Sequence, residues 1–80
     1  MANDPLMTGD TFRSLIYSLK RGQKLVYHVG SLMADRQRPR QGETIRSTAM
    51  AAWKAYEMGK VTLVQRYLSP SRYEYIAVIK

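Results

Sequence analysis

The chain has 80 residues, a length that forms one small domain with a single hydrophobic core. It contains no cysteine and a single histidine, His28, which excludes a disulfide scaffold, a thiol nucleophile and any metal site built from cysteine. Thirteen lysines and arginines against six acidic residues give a formal net charge of +7. Such a charge favours an anionic partner, and for a small basic domain we expect nucleic acid.

The first nine residues, 1–9, are expected to form a flexible leader, and residues 10–80 the single domain. The leader has neither the basic nor the apolar region of a secretory signal. The chain also has no apolar run long enough to cross a bilayer. We therefore expect a cytoplasmic protein without membrane contact.

A helix and a strand are predicted next. The helix begins at Asp10 or Thr11, and its apolar face carries Phe12, Leu15, Ile16 and Leu19. The segment Lys24–Val29 is rich in β-branched and aromatic residues, which is typical of a strand. We expect His28 in this strand to be a hydrogen-bonded structural residue, because no partner that would orient it for catalysis is evident nearby.

A short helix is predicted at Ser31–Arg36, followed by a turn-forming linker, Gln37–Gly42, which contains a proline and ends in glycine. Three guanidinium groups fall within five residues here, on Arg36, Arg38 and Arg40. They can act as a clamp on phosphates or form a solvated basic turn.

The longest predicted helix runs over Thr44–Met58. Its apolar stripe is expected to comprise Ile45, Ala49, Ala52, Trp53 and Tyr56. We expect Trp53 to anchor the core rather than to stack on nucleic-acid bases. The outward side then carries Ser47, Met50, Ala51 and Lys54, with Arg46 on the flank. Small outward side chains let a helix approach a DNA groove or another protein closely.

Two strands, at 60–68 and 73–80, are predicted around the turn Ser69–Arg72. With Ser69 opposite Arg72, the expected pairs are Arg66 with Tyr75, Leu63 with Val78, and Tyr67 with Glu74. Arg66 and Tyr75 would form an exposed cation–aromatic pair. The expected core face of this hairpin holds Val61, Leu63, Ile76 and Val78.

The sequence contains no phosphate loop, nucleophile elbow, paired catalytic carboxylates or metal-ligand spacing. We therefore expect a protein that is not an enzyme, with no catalytic residues, no cofactor and no metal site.

The predicted order is helix, strand, helix, helix, strand, strand, an α+β chain with a small three-stranded antiparallel sheet. This order resembles the winged helix-turn-helix family. In that resemblance Ser31–Arg36 is the helix before the turn, Thr44–Met58 is the recognition helix and Val61–Ile79 is the wing. The linker is longer than the usual turn of the family. The chain is also similar in character to small phage and prophage proteins.

The resemblance implies a regulator that binds duplex DNA with modest sequence specificity. The helix residues Arg46, Ser47, Met50 and Lys54 would face the major groove. The remaining contacts, mainly to phosphates, would come from Arg36, Arg38, Arg40, Arg66 and Arg72.

Two alternatives stay open. The chain could be a small inhibitor or adaptor that acts on a host nucleic-acid-handling complex, with contact residues such as Met50, Met58 and Tyr75. It could also bind RNA, with bases stacked on Tyr67, Tyr73 and Tyr75. A homodimer is compatible with each reading.

Overall fold

The computed structural model describes residues 7–80. Within this range the helices are α1 (Gly9–Ser18), α2 (Leu32–Asp35) and α3 (Gln41–Glu57), and the strands are β1 (Lys24–Gly30), β2 (Val61–Ser69) and β3 (Arg72–Ile79). The strands form one antiparallel sheet in the order β1-β3-β2. The predicted α+β class, element order and three-stranded sheet are confirmed. No helix in this range is long and apolar enough to cross a membrane.

The folded part of the chain starts earlier than expected. Residues 1–6 of the expected leader lie outside the described residues, whereas the last three residues of that leader belong to the fold. The hydroxyl of Thr8 caps α1 by accepting a hydrogen bond from the Thr11 N–H at 3.0 Å. Met7 packs against the core, and its carbonyl accepts a hydrogen bond from the hydroxyl of Thr48 in α3.

The core lies between the inner face of the sheet and the helices α1 and α3. Phe12 and Val61 are its largest fully buried side chains. The ring of Phe12 meets that of Tyr27 edge to face, with centroids 5.6 Å apart. Burial raises the pKa of the Tyr27 hydroxyl, and the nearby Tyr75 raises it further.

The buried face of helix α3 overlaps only in part with the one predicted. Ile45 and Ala52 are buried, as expected. Trp53 and Tyr56 remain 55% and 43% exposed, so the expectation that Trp53 anchors the core is wrong. Ala51, expected on the outward side, is buried instead. The buried residues of α3 are Gly42, Ile45, Thr48, Ala51, Ala52 and Ala55.

The small size of these buried residues explains the rotated face. Alanines let α3 lie close to α1 and the sheet, at a separation that would not accommodate an indole ring. The two helices approach closely at Gly9, where an added Cβ would lie 2.7 Å from the hydroxyl oxygen and 2.9 Å from the carbonyl oxygen of Ser47. Because small side chains fill the contact with α1 and the sheet, the larger residues Trp53 and Tyr56 lie on the exposed side of α3.

The β2–β3 hairpin is shifted by a bulge. Ser69 lies opposite Arg72 as predicted, but Leu68 is an extra residue in β2. Because a bulge adds one residue to one strand only, every pair beyond it moves by one position. The observed pairs are Tyr67 with Tyr73, Arg66 with Glu74, Gln65 with Tyr75, and Leu63 with Ala77. The predicted pair of Arg66 with Tyr75 is therefore wrong.

The shift also changes which residues of β3 face the core and which face outward, compared with the prediction. Ala77, paired with Leu63, packs in the core, so the neighbouring Ile76 and Val78 point to the outer face of the sheet. The expectation that these two residues share a face with Val61 is wrong. Ile76 is nevertheless buried, and its partners across the outer face are Val26 and Val64.

Candidate nucleic-acid interface

The turn between α2 and α3 is tight and strained. Arg40 immediately precedes α3 with φ 66° and ψ −68°, and the Gln41 N–H donates to the Pro39 carbonyl across it at 2.7 Å. This is the geometry of a γ-turn, which a residue other than glycine adopts only under strain. The turn presents the exposed side chain of Arg40 at the start of α3.

Two arginines from different helices meet beside this turn. An added Cβ at Gly42 would lie 2.5 Å from the carbonyl oxygen of Arg36, so α2 and α3 are in close contact there. The guanidinium of Arg46 donates a hydrogen bond to the same carbonyl oxygen. The fold thereby joins two of the predicted site residues, one at the end of α2 and one in α3.

A groove of about 410 Å³ lies between α3 and β2. Arg36 and Arg46 line it where α2 meets α3, and its apolar walls include Met50 and Trp53 from α3 and Leu63 from β2. The sequence patterns did not predict this groove, because they placed the indole of Trp53 in the core. We call it the α3–β2 groove.

Acidic side chains neutralise only some of the predicted cations. The Nε of Arg38 lies 3.2 Å from the carboxylate of Asp35, and Arg66 lies 3.6 Å from Glu74. The other predicted arginines have no acidic group of residues 7–80 within ion-pair distance. These are Arg36, Arg40, Arg46 and Arg72.

Several predicted site residues lie apart from the groove. Arg72 lies at the hairpin tip, where β3 begins. Ser47 is located where α1 crosses α3. Lys54 lines a separate pocket beside α1, together with Arg13. Arg66 points to the outer face of the sheet, like its partner Glu74 across the strands. The structure thus gathers Arg36 and Arg46 at the groove, with Arg40 on the adjoining turn.

Tyrosines form a row along the inner side of the hairpin. The ring centroids of Tyr75 and Tyr73 are 6.2 Å apart, and those of Tyr73 and Tyr67 are 5.7 Å apart. The hydroxyl of Tyr75 accepts a hydrogen bond from the Leu32 N–H at 3.0 Å and so holds the start of α2. Tyr67 is the exposed member of the row, whereas the other two are partly buried.

His28 is hydrogen-bonded, as predicted. Its Nε2 lies 2.8 Å from a carboxylate oxygen of Asp35, and both side chains are mostly buried. Gly30, with φ 135°, lies against this carboxylate and leaves no room for a side chain. The pair therefore ties β1 to α2 next to the arginine-bearing turn. Sequence spacing gave no sign of this partner, because the chain reverses between the two residues.

Replacing Asp35 by alanine is expected to lower the free energy of unfolding by about 1–3 kcal/mol, because it leaves the mostly buried His28 without a partner. Urea denaturation measures the change. Asp10→Ala is the matched control: its carboxylate is 90% exposed and bonds only to the neighbouring turn at Arg13, so the midpoint should stay in place. Equal losses in both variants would contradict the anchoring function of Asp35.

Among residues 7–80, no three metal-binding side chains lie close enough together to hold a metal ion. Comparisons with protein-family models, with curated proteins and with solved structures find no match to this chain. The function must therefore be inferred from the geometry and charge of the chain itself.

Proposed function

We propose that this chain binds duplex DNA through the α2–α3 turn and the exposed side of α3. The observation that carries the proposal is the hydrogen bond from the Arg46 guanidinium to the backbone carbonyl of Arg36, which brings together at one groove two arginines with no acidic partner in the described part of the chain. Guanidinium groups are planar donors that match phosphates and the edges of guanine. Arg40 on the strained turn extends the same basic surface.

The arrangement of the elements supports the same partner. Helix α3 is 17 residues long and exposes Arg46 and Met50 on one side, and a helix of this width fits the major groove. Strand β2 packs against α3. Arg72 lies at the hairpin tip, where we expect it to supply a further phosphate contact. This is the use of helix and hairpin that the winged-helix resemblance implies. Met50 offers only apolar contact to a base, so sequence specificity should be modest.

A protein partner is the second candidate, and the apolar side chains of α3 and its C-terminal end favour it. Met50 and Met58 are 72% and 58% exposed, and Trp53 lies between them along the chain. Methionine and tryptophan are enriched in the cores of protein interfaces. Tyr75 no longer supports this candidate, because its hydroxyl is engaged with α2 and its ring packs against the core.

The salt dependence of duplex binding tests the proposal. We expect a labelled short DNA duplex to bind, with an affinity that falls as salt rises from roughly 50 to 200 mM. Contacts from Arg36, Arg40, Arg46 and Arg72 predict a slope of about −3.6 in a plot of log affinity against log salt. Fluorescence anisotropy measures both quantities. An absence of binding at the lowest salt would contradict the proposal and favour the protein partner.

A further inference from the structure

The one tryptophan of the chain stands at the wall of the α3–β2 groove rather than in the core. Its ring is 55% exposed, and it leans on Tyr56 with centroids 5.2 Å apart. The Tyr56 ring thus contacts the indole, and more than half of the surface of Trp53 remains accessible. An indole held in this way offers a flat π surface on which another ring can stack.

Two arginines, Arg36 and Arg46, line the groove where α2 meets α3. The Arg46 side chain is held by its hydrogen bond to the Arg36 carbonyl, so its position is fixed before any ligand arrives. Among residues 7–80 neither guanidinium has an acidic partner. A guanidinium has five N–H donors, so Arg46 keeps donors for an anion or a base edge beside the one that bonds to the Arg36 carbonyl. A ligand that fills the groove would therefore combine a flat ring with hydrogen-bond acceptors or negative charge.

The volume of the groove suits a nucleobase. About 410 Å³ lies within the range of roughly 300–1,000 Å³ that small-molecule sites occupy. A paired base is stacked inside the duplex and cannot enter a groove between a helix and a strand, whereas an unpaired base can be turned out. Met50 and Leu63 would then enclose the ring, with Trp53 as its stacking partner.

We propose that the α3–β2 groove binds an unpaired nucleobase, stacked on Trp53 with its polar edge or phosphate on Arg36 and Arg46, at an interruption in an otherwise paired duplex. This inference rests on the proposed binding of duplex DNA. It adds that an interrupted duplex, with one base outside the stack, is the preferred ligand. The net charge of +7 favours a nucleic acid over a peptide as the occupant.

The fluorescence of Trp53 tests the proposal directly, because it is the only tryptophan. The wild-type chain is titrated with a duplex that carries one unpaired adenine and with the same duplex fully paired. Anisotropy of a label on the DNA reports binding, and the tryptophan emission reports stacking. We expect both duplexes to bind, the interrupted one about tenfold more tightly. Only the interrupted duplex should quench the emission strongly.

Two variants supply the controls. Trp53→Leu should keep its binding to the paired duplex and lose the tenfold preference, while Trp53→Tyr, which keeps an aromatic ring, should retain part of it. Because Trp53 is more than half exposed, both variants should fold, and circular dichroism checks this.

The outcomes separate this inference from the proposed function. Failure of both duplexes to bind would overturn the two together. Equal binding of both duplexes without selective quenching would overturn the groove inference alone, and the groove would then fit the apolar segment of a protein partner. An unchanged tenfold preference in Trp53→Leu, measured by the anisotropy of the labelled DNA, would mean that the unpaired base binds elsewhere and would also overturn the groove inference.

Discussion

Replacing Phe12 by alanine is expected to unfold the domain or leave it barely stable. Phe12 of α1 is completely buried against α3 and the sheet, where its ring packs on Tyr27. Truncation of a buried phenylalanine costs about 3–5 kcal/mol, because the transfer energy of the ring is lost and a cavity remains. Small domains lie near the lower end of the usual range of stability, about 5–15 kcal/mol. Thermal and urea unfolding measure the loss.

The matched comparison is Trp53→Ala, which also removes an aromatic ring. Because this ring is more than half exposed, its loss should cost about 1 kcal/mol or less. The losses of unfolding free energy in the two variants therefore distinguish the observed packing of α3, in which Trp53 is exposed, from the packing that its sequence pattern predicts, in which Trp53 is buried. A loss at Trp53 as large as the loss at Phe12 would contradict the observed orientation of α3.

The double variant Arg36→Ala/Arg46→Ala is expected to weaken duplex binding by at least about a hundredfold, because each of the two charge-assisted contacts contributes roughly 1.5–3 kcal/mol. The slope of log affinity against log salt should flatten by about 1.8, the share of two phosphate contacts. Anisotropy titrations at several salt concentrations measure both effects. Thermal unfolding of the same variant checks that the α2–α3 turn, which loses the hydrogen bond to the Arg36 carbonyl, remains folded.

A second double variant, Arg13→Ala/Arg21→Ala, removes the same charge from other places. Arg13 is paired with Asp10 on α1, and Arg21 lies in the turn between α1 and β1. We expect a reduction in affinity that is several times smaller than at Arg36 and Arg46. Equal reductions in the two double variants would mean that the chain binds DNA through net charge alone, without a defined surface.

The class and order of the elements could be predicted because local signals agree with one another. Glycine and proline separate the segments, and each segment has a clear period or β-branched composition. The helix α2 and the strand β1 fall where predicted for the same reason. The register of the hairpin could not be predicted, because the bulge at Leu68 depends on packing between strands rather than on the turn sequence.

The main feature that could not be predicted from the sequence is which side of α3 faces the core. Alanine is found on both the buried and the exposed side of helices, so the predicted stripe of α3 is defined by its large apolar residues. In the structure Ala52 and Ala55 are buried and Trp53 is not, since the close approach of α1 and the sheet admits only small side chains. The α3–β2 groove, which depends on that orientation, was missed with it.

The basic character of the interface could be predicted from the sequence. Which arginines lie at the interface without an acidic partner could not. The run of arginines near the α2–α3 turn is evident in the sequence. Which of them stay without an acidic partner depends on the folded arrangement of the acidic residues. Asp35 pairs with Arg38 three residues further along the chain, and Glu74 pairs with Arg66 on the neighbouring strand. The contact between Arg36 and Arg46 arises only when the turn brings the two helices together.

The most direct test of DNA binding through the α2–α3 turn and α3 is a map of the contact surface by NMR. Backbone amide shifts of the labelled chain are followed while a short duplex is added. We predict that the largest changes occur at residues 36–54, with a second set at the hairpin tip, residues 69–72. Little change is predicted in β1 or at the outer-face residues Ile76 and Val78. Changes confined to the sheet, or no changes at all, would contradict the proposed interface.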